Sequence, residues 1–549
     1  MSKTRAPLVF KFASEDWEFE QIHRLNYRTF VEEIPQHKAS PTHRLVDKFH
    51  PENTYLICLD DLKLVGMLAA RGNRPFSLDQ KLPELDTHLP KGRTVCEIRL
   101  LAIDKSFRGS RGGQILSGLL ALLWQHGVER GYDLAIISGT MRQLRLYQHL
   151  GFVPFGPVVG VGDAQFQPMY VTLETFEVTA REFLRAAPAK SFQPSAINFL
   201  PGPVAVRREV RRAFEQAPES HRGDSFKQDF QQTKKLLCEL TNAASVELLF
   251  GSGTLANDIV GAQLSLLPGP GIVLSNGEFG QRLADEARRF KLRFEHIEFD
   301  WGAPLDLAVV RERLSHVSAP AWIWCVHCET STGVVNDLEM LKELCLEHGV
   351  KLCLDCISSI GTTPVDLEGV HLASCASGKG LRSYPGVSMV FYNHQILPAE
   401  DRLPRYLDLG FYAQEDGIPF TFSSNLLHAL HAAVRGVNWE KRFNELLETS
   451  AWLRMKLLEL GFELIGGNVR TSPAVITIAL PPGLNSVTVG NLMRESGFLL
   501  SYNSDYLRAE NWIQICLMGE IAREKVVALT NSLHRVCFRK DATDKSVPA

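Results

Sequence analysis

The sequence predicts an α/β protein with two folded units: a smaller mixed α+β unit, then a larger unit with a mostly parallel sheet and a small C-terminal α/β lobe. Three observations support this fold class. The chain has 549 residues, more than a single core usually organises. An Ala/Pro-rich stretch, TAREFLRAAPAKSFQPSAIN, separates two differently patterned segments. After it, short continuous apolar strands alternate with helical stretches, as in a sheet covered on both faces.

The composition is that of an ordinary globular protein, with 45% hydrophobic and 22% charged residues. Its 59 basic and 62 acidic residues give a net charge of -3, which disfavours nucleic-acid binding. Eleven cysteines without the spacing of a small disulfide framework fit a reducing compartment. Because the N-terminal segment lacks a signal-peptide core and no apolar run approaches ~20 residues, we expect a cytoplasmic protein without a membrane span.

Domain boundaries follow from these patterns. We expect a first unit over residues 1–178, a linker over 179–192, a second unit over 193–540 and a frayed tail over 541–549. The smaller C-terminal lobe of the second unit is expected from about Gly436 onward.

Three strands and a helix are predicted in the first unit. Tyr55–Asp60 and Leu64–Ala70 are apolar runs separated by two residues, as in an antiparallel hairpin, and Val95–Ile103 forms a third strand. Gly112 and Gly113 then open a helix whose apolar residues would lie on that sheet. These residues are Ile115, Leu116, Leu119, Leu120 and Leu123.

The second unit contains short apolar runs that predict its strands. They are Leu248–Phe250, Ile272–Ser275, Trp322–Val326, Val350–Leu354, Leu372–Ala376, Val387–Tyr392 and, in the C-terminal lobe, Ala474–Leu480. The first of these runs leads into Gly251-Ser252-Gly253-Thr254 and a helical stretch, so that backbone N–H groups at a helix N-terminus are available to bind a phosphate. Taken alone, a tight strand-to-helix turn explains this segment equally well.

Two ionisable residues follow strands of the same predicted sheet. Asp355 ends the run VKLCLD, and Lys379 follows the run LASCA. Ligands bind at the carboxyl ends of strands in such sheets. A carboxylate that pairs with a pyridinium nitrogen and a lysine that forms an imine are what pyridoxal phosphate (PLP) chemistry requires. The alternatives are a helix N-cap for Asp355 and a solvated loop lysine for Lys379.

Seven ordered blocks resemble the class V aminotransferases, and among them the 2-aminoethylphosphonate–pyruvate transaminases most closely. The blocks are FLPGP (199–203), SHRGD (220–224), GSGTLAND (251–258), NGEFGQR (276–282), VHCETSTG (326–333), DCISS (355–359) and SGKG (377–380). The resemblance runs from about Phe199 to the end. It implies a fold-type-I homodimer with active sites between subunits.

The resemblance also implies a set of site residues. Ser252, Gly253 and Thr254 would bind the cofactor phosphate, and Thr421 or Ser424 would complete the partner subunit's phosphate site. Phe279 would stack on the cofactor ring, which Thr330 and Ser358 would also contact, and Asp355 would pair with the pyridine nitrogen. Lys379 would form the imine, and His221 and Arg222 would contact substrate.

Two departures from the family bear on the substrate. Relatives resemble one another in an arginine of an F-R-I-G-like segment that binds the substrate carboxylate, whereas this chain reads WIQICLMG with Gln514 at that position. Arg382 follows Lys379 by three residues. It either forms an ion pair or replaces the missing cation and binds a carboxylate, phosphonate or sulfonate. Because Gln514 stands in place of the arginine, a PLP-dependent lyase or decarboxylase stays an alternative to a transaminase.

A second candidate site lies in the first unit. The turn FRGSRGG (107–113) precedes the predicted helix, so its N–H groups, aided by Arg108, Arg111, Gly112 and Gly113, suit a pyrophosphate or a phosphopantetheine. Tyr147 lies in the segment YQHLGF and has the phenol needed to protonate a leaving thiolate, or it packs in the core.

These features resemble the GNAT N-acyltransferase superfamily over about residues 10–175. The segments CEIRLLAID (96–104) and HRLNYRTF (23–30) look similar to the N-acyl-amino-acid and acyl-homoserine-lactone synthases. The resemblance implies an acyl-CoA or acyl-carrier-protein thioester as co-substrate. Glu97 would be the base that deprotonates the acceptor amine, or it pairs with Arg99 or Arg24 in the core.

The sequence therefore predicts a bifunctional enzyme: a PLP-dependent transaminase of a small carbonyl or amino metabolite, coupled to N-acylation of the amine. The main alternative is a PLP lyase or decarboxylase with an acyl-CoA-binding, non-catalytic N-terminal module. A zinc scaffold is a further alternative, because Cys325-x-x-Cys328 and Cys353-x-x-Cys356 have the form of paired ligands. Buried strands favour cysteine as a small hydrophobe instead.

Overall fold

The computed structural model describes residues 8–34, 38–109, 111–160, 165–181, 196–316, 320–414, 417–467 and 469–538. The chain divides into two compact units, one of residues 1–197 and 524–531 and the other of residues 198–523 and 532–549. Most of the predicted linker and all of the predicted tail lie outside the described residues.

The first unit is built on one seven-stranded sheet in the order β1-β2-β3-β4-β5-β7-β6. Its strands are β1 Leu8–Phe12, β2 Thr54–Asp60, β3 Lys63–Arg71, β4 Val95–Ile103, β5 Leu134–Thr140, β6 Val153–Pro154 and β7 Phe166–Thr172. Its α-helices are α1 Asp16–Tyr27, α2 Gly112–Arg130, α3 Leu144–His149 and α4 Leu173–Thr179. The three strands and the helix predicted from the sequence are confirmed.

Helix α2 packs closely on the sheet, as its apolar spacing predicts. Ile115 and Leu119 are fully buried, and both join the core with residues of β2 and β3. A Cβ atom at Gly66 of β3 would lie 2.5 Å from Ile115 Cγ2, so this glycine permits the helix to approach. The start of α2 is thereby fixed against the sheet.

Strands β4 and β5 separate partway along their length. They pair in parallel only from Val95 to Glu97. Beyond that point, Leu100 adopts a left-handed φ of 55°, and the register between β3 and β4 shifts. A bulge of this kind bends a strand and increases its twist. The facing edges of β4 and β5 are therefore unpaired beyond Glu97.

The second unit has a larger central sheet in the order β11-β10-β12-β15-β16-β17-β9. Its strands are β9 Ser245–Gly251, β10 Gly271–Ser275, β11 Phe294–Glu298, β12 Trp322–Val326, β15 Lys351–Asp355, β16 Leu372–Ala376 and β17 Gly386–Tyr392. The four pairings from β11 to β16 are parallel, and β17 is antiparallel to both of its neighbours. The predicted mostly parallel sheet is confirmed.

Short strands and helices complete the fold. The helices are α5 Arg208–Phe214, α6 Asp224–Thr241, α7 Gly253–Leu264, α8 Glu278–Arg289, α9 Leu307–His316, α10 Leu338–His348, α11 Leu409–Gln414, α12 Ser424–Val434, α13 Trp439–Glu459, α14 Ser486–Glu495, α15 Asp505–Ala509 and α16 Arg523–Phe538. The short strands are β8 Ile197–Asn198, β13 Cys328–Glu329, β14 Val334–Val335, β18 Glu463–Leu464, β19 Val475–Ala479, β20 Phe498–Leu499 and β21 Trp512–Cys516. The sheet β18-β19-β21 belongs to the predicted C-terminal lobe. Within the described ranges, no helix combines the length and apolar character needed to cross a membrane.

Candidate active sites

The turn between β9 and α7 presents uncapped amides. Ser252 precedes the first residue of α7, and its side chain makes no capping hydrogen bond. Both Ser252 and Thr254 are exposed. A Cβ atom at Gly253 would lie 2.8 Å from Ile357 Cδ1, so a side chain there would crowd the neighbouring loop. The first amides of a helix lack acceptors within it, so this turn suits an anion such as a phosphate.

Asp355 lies at the carboxyl end of β15, as the sequence predicts. It is 4% exposed, and its Oδ1 accepts a hydrogen bond from the Ile357 N–H at 2.9 Å. Burial raises the pKa of Asp355 despite its hydrogen bonds. A buried carboxylate of this kind is stabilised by a cationic partner, which a protonated pyridine nitrogen provides.

The sequence did not single out Asn257, which orients Asp355. Asn257 Nδ2 donates to Asp355 Oδ2 at 2.9 Å, and Asn257 Oδ1 accepts from Ser374 Oγ at 2.6 Å. Asn257 lies on α7, and Ser374 lies on β16. Three elements thus fix one carboxylate. In the sequence, Asn257 could have been recognised as the asparagine of the GSGTLAND block.

Lys379 lies three residues beyond β16. Its Nζ is 5.7 Å from the centroid of the Phe279 ring. Loss of solvent lowers the pKa of Lys379, while Cys516 and Asp355 act in the opposite direction. A Cβ atom at Gly202 would lie 3.5 Å from Lys379 Cγ, so the FLPGP block borders the lysine. The amine, the aromatic ring and the carboxylate therefore converge.

Glu329 is a second residue that the sequence analysis missed. It is fully buried, and its carboxylate accepts hydrogen bonds from the N–H groups of Phe279 and Gly280 at 3.4 and 3.0 Å. Ser331 Oγ donates to it at 2.6 Å. A carboxylate at the first turn of α8 interacts favourably with the helix dipole. Glu329 therefore holds the Phe279 backbone in place.

The predicted cofactor contacts Thr330 and Ser358 meet directly. Both side chains are buried, and their hydroxyl oxygens are 2.5 Å apart. Thr330 follows β13 and Ser358 lies beyond β15, strands of two different sheets, so the tertiary fold brings them together.

The structure corrects the substrate role of Gln514. This residue is 0% exposed, and its Nε2 donates to Thr330 O, Ser331 O and Thr477 Oγ1 at 2.6, 3.0 and 2.9 Å. Its Oε1 accepts from Tyr506 OH at 3.2 Å. Because these contacts use both ends of the amide, Gln514 supports the Thr330 loop and does not reach substrate.

Arg382 also differs from the substrate role expected of it. Its side chain is buried, and Nη1 donates to Glu520 Oε2 at 2.6 Å. Burial lowers the pKa of Arg382, and Glu520 opposes that shift. The contacts match the ion-pair alternative, which neutralises the guanidinium before any substrate binds.

The remaining predicted residues of this unit differ in their exposure. Arg222 and Thr421 are exposed, and His221 is half-buried. Ser424 is buried, and its Oγ accepts from the Glu219 N–H at 3.0 Å. None of these four is joined to Lys379 or Asp355 by a hydrogen bond among the described residues. Their roles stay predictions.

The cysteines of the zinc alternative lie in the apolar core. Cys325, Cys328, Cys353 and Cys356 are all buried, and burial raises the pKa of each thiol. A thiolate, not a thiol, binds a metal, so these surroundings disfavour ligation.

The first unit contains a cavity of about 1060 Å³ beside the separated edges of β4 and β5. One part of its lining is apolar, including Leu116, Leu120, Leu150, Phe152 and Phe176. Another part is polar: Asp47, Lys48, Ser77, Lys81, Glu97 and Arg99. A ligand with a long apolar chain and a polar group fits such a lining.

Glu97 lies in the polar part of this cavity. It is fully buried, and its carboxylate accepts hydrogen bonds from the Ser77 N–H at 2.8 Å, the Leu78 N–H at 3.3 Å and the Ser77 hydroxyl. Arg99 Nε is 3.7 Å from Glu97 Oε2. The carboxylate is thus held in place on the cavity wall.

Tyr147 and Arg108 also line the cavity. Tyr147 OH donates to Gln143 Oε1 at 2.9 Å, and burial raises the pKa of the phenol. The proton therefore remains on Tyr147 at neutral pH. Arg108 Nη2 is paired with Glu33 Oε2 at 2.6 Å.

The predicted glycine turn lies at the start of α2. Arg111, which precedes the helix, donates from Nη1 to Asp60 Oδ1 at 3.1 Å, so in this structure both turn arginines are paired with acids. A Cβ atom at Gly113 would meet no atom within 4 Å, and one at Gly112 would meet only Phe107 O and Arg108 Cβ, at 3.6 and 3.9 Å. The surroundings of the two glycines are therefore open on the side where a side chain would stand.

Two family models match the chain. Residues 211–404 match the class-V aminotransferase family, and residues 21–170 match the N-acyl amino acid synthase FeeM. The first region contains the phosphate turn, Asp355 and Lys379. The second contains the cavity, Glu97 and Tyr147.

Similar proteins agree with this division. The soluble hydrogenase 42 kDa subunit of Anabaena cylindrica is 31% identical, over 54% of this chain and 81% of that protein. A 2-aminoethylphosphonate–pyruvate transaminase of Pseudomonas putida strain F1 is 30% identical, over 44% of this chain and 69% of its own. The crystal structure of alanine–glyoxylate aminotransferase from Nostoc sp. has a TM-score of 0.57 and 26% identity, covering 64% of this chain and 98% of that one.

The residues present fit PLP: an uncapped helix start for its phosphate, an aromatic ring beside the amine, and a buried carboxylate that forms no ion pair within the described residues. The fit and the comparisons lead to one conclusion: the chain belongs to the class-V aminotransferase family, carries a FeeM-type N-acyl amino acid synthase domain, and is a PLP-dependent aminotransferase with acyltransferase activity.

Proposed function

We propose that the C-terminal unit forms a primary amine by transamination and that the N-terminal unit acylates that same amine. The proposal rests on one observation: the same chain contains the groups needed for transamination and the groups needed for acyl transfer. Lys379, Asp355 and Phe279 converge in one unit, and Glu97 and Tyr147 line a cavity in the other. A chain that joins the two supplies the product of the first as the acceptor of the second.

In the transaminase half, each residue has a separate task. The cofactor, when bound, supplies the electron sink that makes the substrate C–H bond next to nitrogen acidic. Asp355 holds a negative charge opposite the ring nitrogen, and Asn257 orients that charge. Lys379 Nζ is the group that holds the cofactor and moves the proton, for which a lowered pKa is suited. Ser252, Gly253 and Thr254 bind the phosphate.

The substrate of this half is bound without the arginine that relatives use for the substrate carboxylate. Gln514 is engaged with Thr330 and Ser331, and Arg382 with Glu520, so neither offers a free cation. The similarity to 2-aminoethylphosphonate–pyruvate transaminases supports a small aminophosphonate or related amino compound. A lyase or decarboxylase is the second candidate, favoured by the same engagement of Gln514.

In the acyltransferase half, the acyl thioester occupies the cavity between β4 and β5. The unpaired N–H and C=O groups on the strand edge form hydrogen bonds with the amide groups of an extended ligand. The apolar lining of the cavity binds the acyl chain. Glu97 removes a proton from the acceptor nitrogen, which attacks the thioester carbonyl. The C–S bond then breaks, and Tyr147 OH gives its proton to the leaving sulfur.

We further propose a cytoplasmic homodimer. Thr421 is exposed, so it is accessible to the phosphate site of a second subunit. Phe250, near the end of β9, is 52% exposed, and an exposed aromatic side chain is suited to a contact between subunits. All eleven cysteines are free, which supports a reducing compartment.

One experiment tests the coupling. The full chain is incubated with PLP, a ¹⁵N-labelled amino donor, a panel of carbonyl acceptors and acyl-CoA or acyl-carrier protein, and the products are analysed by mass spectrometry. A ¹⁵N-labelled N-acyl amine whose formation requires both the donor and PLP supports the proposal. Formation of the free ¹⁵N-amine with no acylated product would contradict the coupling.

A further inference from the structure

The charged residues at the polar part of the cavity are mostly committed to one another. Arg99 makes two hydrogen bonds to Asp47, at 2.8 and 3.0 Å. Glu97 is held by Ser77 and Leu78, and Lys48 Nζ bonds to Gln80 Oε1. Arg99 is thus committed to the Asp47 carboxylate, whereas Lys48 is an exposed residue that uses one of its three donors on Gln80.

Lys81 differs from these neighbours. Among the residues that the structure describes, its Nζ has no hydrogen-bond or ion-pair partner, although it lines the same cavity. Nζ lies 4.6 Å from the centroid of the Phe166 ring, another residue of the cavity wall. The aromatic face holds the ammonium at the wall without using its three N–H donors.

The electrostatic surroundings of Lys81 favour an anion. Burial lowers the pKa of Lys81, and the charges of Arg99 and Lys48 lower it further, while Glu97 raises it. Lys81 is an exposed residue that also lines the cavity, so its ammonium is accessible to an anion bound there, and the nearby charges of Arg99 and Lys48 add to the attraction. Lys81 and Glu97 both line this cavity, so a molecule bound in it lies between walls that carry both groups.

We propose that Lys81 binds an anionic group on the acceptor and thereby makes the N-acyltransferase select primary amines that carry a carboxylate, phosphonate or sulfonate. The inference rests on the acyl transfer proposed above. It assigns Lys81 as the specificity-determining residue and leaves proton removal to Glu97. In this arrangement the amine of the acceptor faces Glu97 and its anionic end faces Lys81.

The test compares acceptors that differ in charge. Full-length protein is assayed for acyl transfer to β-alanine, 2-aminoethylphosphonate and 2-aminoethanesulfonate, and to the neutral amide of β-alanine. The variants are Lys81→Met, Lys81→Arg and, as a matched control, Lys91→Met, which changes an exposed lysine that does not line the cavity. Hydrolysis of the acyl thioester without acceptor reports whether each variant folds and binds its donor.

Charge-assisted hydrogen bonds contribute about 1.5–3 kcal/mol, so Lys81→Met should raise KM for the preferred anionic acceptor by roughly 10- to 150-fold. The neutral amide and the thioester hydrolysis should change little, and Lys81→Arg should restore much of the affinity. The preferred anion among the three identifies the acceptor class. An equal change for charged and neutral acceptors, or none, would overturn the inference while leaving acyl transfer standing. If the unmodified protein acylates no amine, the proposed acyl transfer fails as well.

Discussion

Asn257 Nδ2 donates a hydrogen bond to Asp355 Oδ2 at 2.9 Å, between residues that are 98 positions apart in the chain. The carboxylate that we propose to pair with the cofactor ring is therefore oriented by the helix that begins at the proposed phosphate turn. In this proposal, phosphate binding and ring binding depend on the same helix.

Replacement of Asn257 should weaken the cofactor site. Asn257→Leu removes a hydrogen bond to a buried carboxylate, a contact of about 1.5–3 kcal/mol, so we expect roughly a 10- to 150-fold loss in PLP affinity. An absorbance titration of the cofactor measures this change. Asn444→Leu alters an exposed asparagine of α13 and serves as the control. Unchanged PLP affinity in Asn257→Leu would show that Asp355 does not need this contact.

Replacement of Lys379 should separate the two activities. A positioned acid or base contributes about 10²- to 10⁴-fold, so Lys379→Ala should lose at least that much transamination. Acyl transfer to an added amine should stay near the level of the unmodified protein. Lys441→Ala, at an exposed lysine, should leave both activities intact. Residual transamination above a hundredth of the original rate would remove Lys379 from its assigned role.

Gln514 should matter for stability more than for substrate affinity. Gln514→Leu leaves the buried Thr330 carbonyl without its Gln514 donor and the Ser331 carbonyl with only the Thr477 hydroxyl, which costs about 1–3 kcal/mol. We expect a lower thermal midpoint in the presence of saturating PLP. A variant with an unchanged midpoint and a raised KM for the amino substrate would instead return Gln514 to the substrate site.

Glu97 should be required for rapid acyl transfer at neutral pH. Glu97→Gln keeps the shape of the side chain but removes the base, so the rate should fall by about 10²- to 10⁴-fold. The loss should be partly recovered at high pH, where the acceptor amine is unprotonated in solution. Rates measured across pH with a fixed acceptor test this. If Glu97→Gln keeps the original rate and profile, Glu97 is a structural residue of the core.

Glu286 should make stability depend on pH. It is 9% exposed, and burial, together with Asp258 and Asp355, raises its pKa from 4.5 to about 8. Between these values the unfolded chain releases the proton while the folded chain keeps it, so stability is present below about pH 4.5 and is lost as pH rises toward 8.

At pH 7 this loss amounts to about 3 kcal/mol. Glu286→Gln should therefore raise the urea midpoint at pH 7 and flatten its decline over this range. The same decline in the variant as in the unmodified chain would assign the effect to another group.

The sequence was sufficient for six of the seven strands of the larger sheet and for the positions of Asp355 and Lys379 beside strand ends. Continuous apolar runs located β12, β15 and β16 within a residue or two, and the positions of Asp355 and Lys379 after strand ends followed from them. These features depend on local pattern, which a single sequence carries.

The contacts that refine the site could not be predicted in this way. Asn257 meets Asp355, and Arg382 meets Glu520 across 138 positions, so each pairing depends on the tertiary fold. Gln514 was expected to face substrate because of its place in a motif. Its burial under the Thr330 loop is decided by the packing of β21 against β19, which no residue pattern records.

The bulge at Leu100 limits how the acyl cavity can change during evolution. Side chains on a strand alternate between faces, so the insertion or loss of one residue there would reverse every position on one side of the change. Either Glu97 or the apolar wall beyond Leu100 would then point away from the cavity. Descendants of this chain can therefore adapt to other acyl donors by exchanging side chains, while the length of β4 stays constant.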